Sequence, residues 1–313
     1  MTRYILSRIL QMIPVIFIVT FFIFSITLLL PGDPAIAMLG EQASQEDLQA
    51  LREKMGLNLP IPIQYGRWVA HVATGDLGVS LRSSEPVLDM IIGRAPVTLE
   101  LTLFSILIGI AIGVPTGVLS AIRRNSWADA GSSVVAMGAL AIPNFWFGII
   151  LIMFFSVYLR WLPSSGYVPF LSNPLGNVTA MILPSITLGG GLAALIMRQT
   201  RSSLLTVLTA DYVRTARAKG AREPRVIVRH ALRNALLPVV TVIGLQVGTL
   251  LGGAVVTETV FSMPGVGRML IEGIFTRDFP AVQGAILFLI LGILVVNLLT
   301  DLAYFVLDKR ISR

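Results

Sequence analysis

The sequence contains no cysteine among its 313 residues, and its two histidines, His71 and His230, lie far apart in the chain. Disulfide bonds and thiolate chemistry are therefore excluded, and a metal site built from clustered Cys and His ligands is not expected. Charged residues make up only 13% of the chain, which is about half their share in soluble globular proteins. This shortage of charge, together with 55% hydrophobic residues, favours a chain whose surface faces lipid.

The motifs of several enzyme classes are missing as well. There is no Gly-x-x-x-x-Gly-Lys-Ser/Thr loop for nucleotide phosphates, no His-Glu-x-x-His zinc motif and no evident Gly-x-Ser-x-Gly nucleophile motif. We therefore assign no catalytic residue and no metal ligand, and we expect no cofactor on this chain. The net charge of +7 does not indicate nucleic-acid binding, because membrane proteins concentrate Lys and Arg in their cytoplasmic loops.

Six apolar runs are long enough to cross a membrane as helices, which takes about 20 residues. They lie at about 9–30, 97–122, 131–159, 178–197, 235–256 and 281–307. The first run could be a secretory signal peptide, since Arg3 and Arg8 precede it and Ala35-Ile36-Ala37 resembles a cleavage site. Its apolar stretch is too long for one. The sequence therefore predicts an all-α integral membrane protein with six transmembrane helices.

Six spans place both termini on one side of the membrane, and that side's segments hold 16 of the 24 Lys and Arg residues. The positive-inside rule then predicts cytoplasmic termini. The expected organisation is an N-terminal transmembrane helix at 1–30, an extracytoplasmic segment at 31–95 and a five-helix core at 96–313. Within 31–95, Ser44 and Asp47 predict the capped start of a short amphipathic helix ending near Met55.

Few ionisable or polar residues lie within the predicted spans. Three acids lie in or beside them: Glu100 just inside the second span, Glu258 just past the fifth, and Asp301 in the last third of the sixth. Transporters driven by ion gradients usually carry acids deep in the membrane, so this scarcity argues against gradient-driven transport. Asn144, Gln246 and Glu258 are candidates for lining a translocation pathway, with hydrogen bonding between helices as the alternative for each.

The fifth predicted span carries glycines at every fourth position: Gly244, Gly248 and Gly252. Because glycine has no side chain, such a stripe permits another helix to approach closely. The stripe predicts either packing within this chain or a sliding surface against a partner or the translocation pathway.

The predicted cytoplasmic segment at 199–234 is rich in Arg and Lys and contains only two acids, Asp211 and Glu223. Asp211 can cap a helix, Gly220 can end it, and Pro224 suits the first turn of a second helix. A helix–Gly–helix turn with small residues suits docking into a groove on a soluble partner. Topogenic charge and a patch for anionic lipid are the alternatives.

This segment resembles the coupling motif of ABC importer permeases, Glu-Ala-Ala-x-x-x-Gly. Ala216 and Gly220 match that motif, whereas Arg214 replaces the acid and Thr215 replaces an alanine. The variant found here, ArgThrAlaArgAlaLysGly at 214–220 followed by HisAlaLeuArgAsnAlaLeuLeuPro, resembles that of the dipeptide/oligopeptide/nickel subfamily. Further stretches resemble this subfamily along the whole chain: ProGlyAspPro at 31–34, GlyAspLeuGlyValSer at 75–80, ThrLeuGluLeu at 98–101, GluThrValPheSerMetProGlyValGly at 258–267, ArgAspPheProAlaValGln at 277–283 and AspLysArgIle at 308–311.

The resemblance implies a type I ABC importer permease in the bacterial inner membrane. It implies as partners a second homologous permease, two ATP-binding subunits that hold ATP and Mg, an extracytoplasmic binding protein and membrane lipid, but no nucleic acid. The residues it implies for coupling to the ATPase are Arg214, Thr215, Ala216, Arg217, Lys219, Gly220, Ala221 and Arg222.

Within those coupling residues, Ala216, Gly220 and Ala221 are expected to make the close contact, and Arg217, Lys219 and Arg222 to orient it. The implied substrates are dipeptides or oligopeptides, with nickel chelates or glutathione as alternatives in the same family. A gradient-driven secondary transporter and a lipid-binding membrane scaffold are the alternatives from other classes.

Overall fold

The structure is a computed structural model that describes residues 2–29, 35–36 and 43–307. The ProGlyAspPro stretch at 31–34 and the end at 308–311 lie outside the described residues. Within them the regular structure is helical, apart from one isolated antiparallel bridge between Val79 and Pro86. Lipid offers no hydrogen-bond partner to the backbone, so a spanning chain satisfies its N–H and C=O groups within helices. The predicted all-α class is confirmed.

The helices are numbered in chain order. They are α1 Thr2–Leu29, α2 Gln45–Met55, α3 Ile61–Ala73, α4 Val87–Ile122, α5 Trp127–Ala141, α6 Asn144–Leu151, α7 Pro174–Leu208, α8 Asp211–Ala218, α9 Glu223–Arg225, α10 Leu237–Val260, α11 Val266–Thr276 and α12 Phe279–Leu307. Wider π-helical turns continue α6 over Ile152–Tyr158 and α9 over Val226–Leu232, and a last turn, Arg233–Ala235, leads towards α10. The predicted helix after Ser44 is confirmed as α2, because the Ser44 hydroxyl accepts the Asp47 N–H at 3.1 Å.

Four of these helices are long and apolar enough to cross a membrane: α4, α7, α10 and the Phe279–Thr300 part of α12. The bent pair α5 and α6 makes a fifth if it forms one span. The apolar part of α1 in the described residues, Leu10–Ser25, is shorter than 18 residues. The described residues thus support four or five spans, and the predicted count of six stays a prediction.

The region of the third predicted span, at 131–159, is not one straight helix. The chain bends by 107° between α5 and the continued α6. Pro143 causes the break, because it has no N–H to donate and disfavours helical backbone at the residue before it. Ile142 accordingly has extended backbone angles, φ −83° and ψ 127°.

The chain divides into two compact units. The first comprises Met1–Val97 and Pro264–Leu294, and the second comprises Thr98–Met263 and Val295–Arg313. An apolar core cluster of the first unit is formed by Val87, Ile91, Val266, Met269, Ala281 and Ala285.

A buried carboxylate joins two motifs within the first unit. Asp278, only 4% exposed, accepts hydrogen bonds from the Ser80 hydroxyl at 2.5 Å and the Leu81 N–H at 3.1 Å. Ser80 ends the GlyAspLeuGlyValSer motif, and Asp278 belongs to ArgAspPheProAlaValGln. A buried carboxylate needs such donors, so the two motifs form one structural feature.

In the second unit, α4 and α7 cross at backbone distance. A Cβ on Gly113 would lie 2.6 Å from the Ala193 carbonyl oxygen, and one on Gly117 would lie 2.6 Å from that of Met197. Gly189 of α7 lies equally close to α4. Only glycine permits this contact, because an added methyl group would meet backbone that cannot move aside.

The predicted glycine stripe on α10 contacts another helix at its Gly244 end. Gly244 lies directly against the Thr300 side chain of α12, and no atom lies within 4 Å of a Cβ built on Gly252. The glycines with the tightest backbone contacts therefore lie on α4 and α7, outside the predicted stripe.

Gly113→Ala is expected to lower the melting temperature of the purified protein, since overpacking costs about 1–3 kcal/mol. Gly138→Ala is the matched control, because Gly138 lies in α5 with no atom within 4 Å of the new methyl group. Alanine favours a helix interior by ~1 kcal/mol over glycine, so the control should melt at the same or a higher temperature. Equal melting of the two variants would contradict the proposed close contact.

Candidate coupling site

The turn after α7, residues 211–225, is called the elbow below. Ala210 has extended backbone angles, φ −70° and ψ 148°, and precedes α8 as its N-cap. Asp211 is therefore the first residue of α8 and not its cap, and α8 has no side-chain cap. The predicted cap is wrong by one residue, although a carboxylate in the first turn still interacts favourably with the helix dipole.

The structure confirms the prediction that Gly220 ends α8. Its φ of +78° lies in the left-handed region that favours glycine. The Gly220 N–H donates to the Arg217 carbonyl at 2.9 Å, and the Ala221 N–H donates to the Ala216 carbonyl at 3.3 Å. These two bonds form a Schellman-like turn, which satisfies carbonyl groups at the end of a helix. Since no atom lies within 4 Å of a Cβ on Gly220, backbone conformation and not space requires glycine here.

The elbow rests on a small apolar core within the second unit. The buried members of this elbow core are Ala121, Leu204, Val213, Val226, Ala231 and Ala235. Ala216 and Ala221 pack against it and are half-buried. Two of the three residues expected to make the close contact with a partner therefore face this chain's own core, while Gly220 is exposed.

The outer face of the elbow is polar and basic. Its exposed residues include Tyr212, Arg214, Thr215, Arg217, Lys219 and Arg222. Tyr212 is fixed by a 2.9 Å hydrogen bond that its hydroxyl accepts from the Asn234 side chain. Arg214 lies 3.7 Å from Asp211, and both side chains are largely exposed, so this pair contributes little to stability.

An ion pair connects the two helices of the elbow. The Arg217 guanidinium donates two hydrogen bonds to the Glu223 carboxylate, from Nη2 to Oε1 at 2.6 Å and from Nε to Oε2 at 3.1 Å. Hydrogen bonding to Arg217 lowers the pKa of Glu223, and hydrogen bonding to Glu223 raises the pKa of Arg217. The pair joins α8 to α9 across Gly220, so Arg217 holds the elbow's own shape, whereas the sequence suggested an outward role.

A second ion pair, between Asp129 and Arg201, was not predicted from the sequence. Asp129 at the start of α5 is buried and accepts two hydrogen bonds from Arg201 of α7, at 2.7 and 2.8 Å. Ser120 of α4 donates to the same carboxylate at 2.5 Å. Three helices therefore meet at Asp129. The sequence did contain a signal for this site. Asp129 is an acid just before a predicted span, and Ser126 is placed to cap the helix that contains it.

The three predicted pathway residues lie in different surroundings in the second unit. Asn144 is exposed at the start of α6, and Gln246 is half-buried in α10. Glu258 is fully buried and accepts a 2.6 Å hydrogen bond from the Thr98 hydroxyl. In this conformation Glu258 is part of the protein interior, and a pathway role for the three residues stays a prediction.

Comparison with protein families matches two models to this chain. Residues 113–313 match the binding-protein-dependent transport system inner membrane component, and residues 1–102 match the N-terminal part of such membrane components. The chain belongs to this family. It is accordingly a multi-pass inner-membrane protein of a binding-protein-dependent transport system.

Relatives and a solved structure agree with this family. The dipeptide transport system permease protein DppB of Escherichia coli K12 is 45% identical, and that of Alkalihalophilus pseudofirmus is 43% identical, with at least 99% of each chain covered. A chain of the MetNI methionine ABC transporter has the same fold with a TM-score of 0.60 at 21% identity, covering 72% of this chain and 99% of that one. The predicted type I importer permease fold is confirmed.

Asp129→Asn is expected to lower the melting temperature of the purified protein by several degrees, because it leaves the Arg201 charge without its partner. Asp211→Asn is the matched control, since the Asp211 side chain is 98% exposed. The double variant Asp129→Asn/Arg201→Gln should lose less than the sum of its single variants, because the two residues form one interaction. Additive losses would show that the pair does not act as a unit.

Proposed function

We propose that this chain is the permease subunit of an ATP-driven importer of dipeptides or oligopeptides. The proposal is supported by full-length similarity to dipeptide transport permeases. Both termini would be cytoplasmic, as the distribution of Lys and Arg predicts. Segment 31–95 would then face the outside and receive the substrate from a binding protein.

The proposed assembly contains a second homologous permease and two ATP-binding subunits. ATP and Mg would bind to those subunits, and this chain would carry no catalytic residue. The chain's part in the energy-consuming step would be mechanical: it would convert movement of the ATP-binding subunits into movement of its transmembrane helices.

The elbow is the observation that carries this proposal. Its outer face is exposed and basic, and its inner face packs on a core that includes Ala121 of α4 and Leu204 of α7. A displacement of α8 would therefore act on both helices, since close-packed groups transmit strain. The glycine turn and the Arg217–Glu223 pair give the elbow a defined shape for docking.

The surroundings of the acids favour this proposal over a gradient-driven transporter. Glu100 accepts hydrogen bonds from Tyr167 at 3.0 Å and Asn177 at 2.9 Å, and Glu258 accepts one from Thr98. Both carboxylates thus hold segments of the second unit together. An ion-coupling site would need carboxylates that exchange these partners for the transported ion. Nickel chelates and glutathione remain alternative substrates within the family.

Gly220→Glu is expected to uncouple ATP hydrolysis from uptake in the reconstituted complex. A side chain at this φ costs about 1–2 kcal/mol, and the added carboxylate places a negative charge on the basic docking face. ATPase activity should persist while uptake of a labelled dipeptide falls at least tenfold. The readouts are phosphate release and uptake in the same proteoliposomes.

Gly166→Glu is the matched control, because Gly166 also has a positive φ, of +99°, and open space around it, but lies outside the elbow. It should retain coupled uptake. Wild-type uptake by the Gly220→Glu variant, with the complex fully assembled, would contradict the proposed role. A lipid-binding scaffold would in addition tolerate scrambling of 211–233 at constant charge, which the importer should not.

A further inference from the structure

A cavity of about 590 Å³ lies in the second unit, lined by residues of α5, α7 and α10. Its polar wall includes Ser133, Arg198, Gln199 and Ser202, and its apolar wall includes Met137 and Leu195. The volume is within the range of small-molecule sites, about 300–1,000 Å³. Arg198 and Ser202 are exposed, so the cavity can be reached from solvent.

The two arginines at this cavity differ in their electrostatic state. Arg201 is neutralised by the buried carboxylate of Asp129, to which it donates two hydrogen bonds. Arg198 takes part in no ion pair with any of the residues that the structure describes. The cavity therefore keeps one uncompensated positive charge, and the nearby negative charge of Asp129 is offset by Arg201.

The arrangement of polar groups suits a carboxylate. Arg198 and Ser202 lie one helical turn apart on the same face of α7, with Gln199 beside them. Gln199 is itself held by a 3.1 Å hydrogen bond from its side-chain nitrogen to the Ser203 hydroxyl. A guanidinium flanked by hydroxyl and amide groups binds planar anions through charge-assisted hydrogen bonds. A charge that serves only topology needs no such neighbours.

We propose that this cavity binds the C-terminal carboxylate of the transported peptide at the cytoplasmic end of its route. The inference rests on the proposed function for the substrate class and on the cavity for the binding site. Arg198 directly follows the predicted span at 178–197, which places it at the cytoplasmic boundary. The Arg198 guanidinium would bind the group that all linear peptides share, and Met137 and Leu195 would contact side chains that vary.

The test uses the absence of cysteine from the chain, because one introduced cysteine is then the only thiol on it. Ser202→Cys places that thiol in the cavity wall and leaves Arg198, Gln199 and Ser133 in place to bind the carboxylate. Thr206→Cys is the matched control, since Thr206 lies one turn further along α7 and does not line the cavity. The complete complex, without binding protein, is labelled with a maleimide in vesicles of phosphatidylcholine, and modification of this chain is followed by mass spectrometry.

Dialanine should slow labelling of the Ser202→Cys variant and leave labelling of the Thr206→Cys variant unchanged. Dialanine amide, which lacks the carboxylate, should not protect the thiol at position 202 at the same concentrations. Adding Arg198→Gln to the Ser202→Cys variant should raise the dialanine concentration for half-protection about tenfold or more, as expected for loss of a charged hydrogen bond. Arg198→Lys, which retains the charge, should restore part of the protection.

Equal protection by the amide, or unchanged protection in Arg198→Gln, would overturn the inference. Slow labelling that depends on phosphatidylglycerol in the vesicles and not on peptide would also overturn it, by identifying a lipid headgroup as the occupant. ATP-driven uptake of dialanine with the binding protein is measured in parallel. Uptake without protection of the thiol at position 202 refutes the cavity site alone, whereas absence of uptake counts against the proposed function.

Discussion

The backbone contact between α4 and α7 is the constraint on which the rest of the second unit depends. Gly113 and Gly117 let α4 reach the carbonyl groups of α7, and Gly189 does the same from the other helix. Lipid provides no hydrophobic drive for helices to associate, so close van der Waals packing must supply the stability. This contact fixes the two helices against each other along several turns.

The hydrogen bonds of Asp129 and the elbow core both require that contact. The carboxylate of Asp129 meets Ser120 of α4 and Arg201 of α7, which is possible only where those helices lie close together. The elbow core likewise combines Ala121 from the end of α4 with Leu204 from α7. A movement imposed on α8 would thus reach two transmembrane helices that are already joined as one body.

Local features of the fold could be predicted from the sequence, because their causes lie within a few residues. Ser44 caps α2 through its own hydroxyl group, and Gly220 ends α8 because the backbone there requires a positive φ. Pro143 was a local signal too, but the hydropathy of 131–159 did not indicate the bend between α5 and α6. Side-chain partners such as Asp129 and Arg201 are 72 residues apart, so only the tertiary structure brings them together.

The contacts of the elbow's inner face likewise could not be predicted from the sequence. The small residues Ala216 and Ala221 suggested a surface for a partner, yet they pack against this chain's own core. The sequence could not show this, because small residues on one face of a helix suit a core and a partner contact equally well. The basic residues of the elbow are exposed and outnumber its two exposed acids, Asp211 and Glu223. Arg214 stands where the general family motif has an acid. A partner surface that accepts this elbow should therefore present acidic groups.

Crosslinking from the elbow tests the central claim most directly. A cysteine in place of the exposed Lys219 would be the only thiol on this chain, and a short thiol-to-amine reagent would then link it to its neighbour in native membranes. The account predicts that mass spectrometry identifies an ATP-binding subunit as the crosslinked partner, with a yield that changes on addition of ATP. Crosslinks to lipid alone, or to another copy of this chain with no ATP-binding subunit, would contradict it.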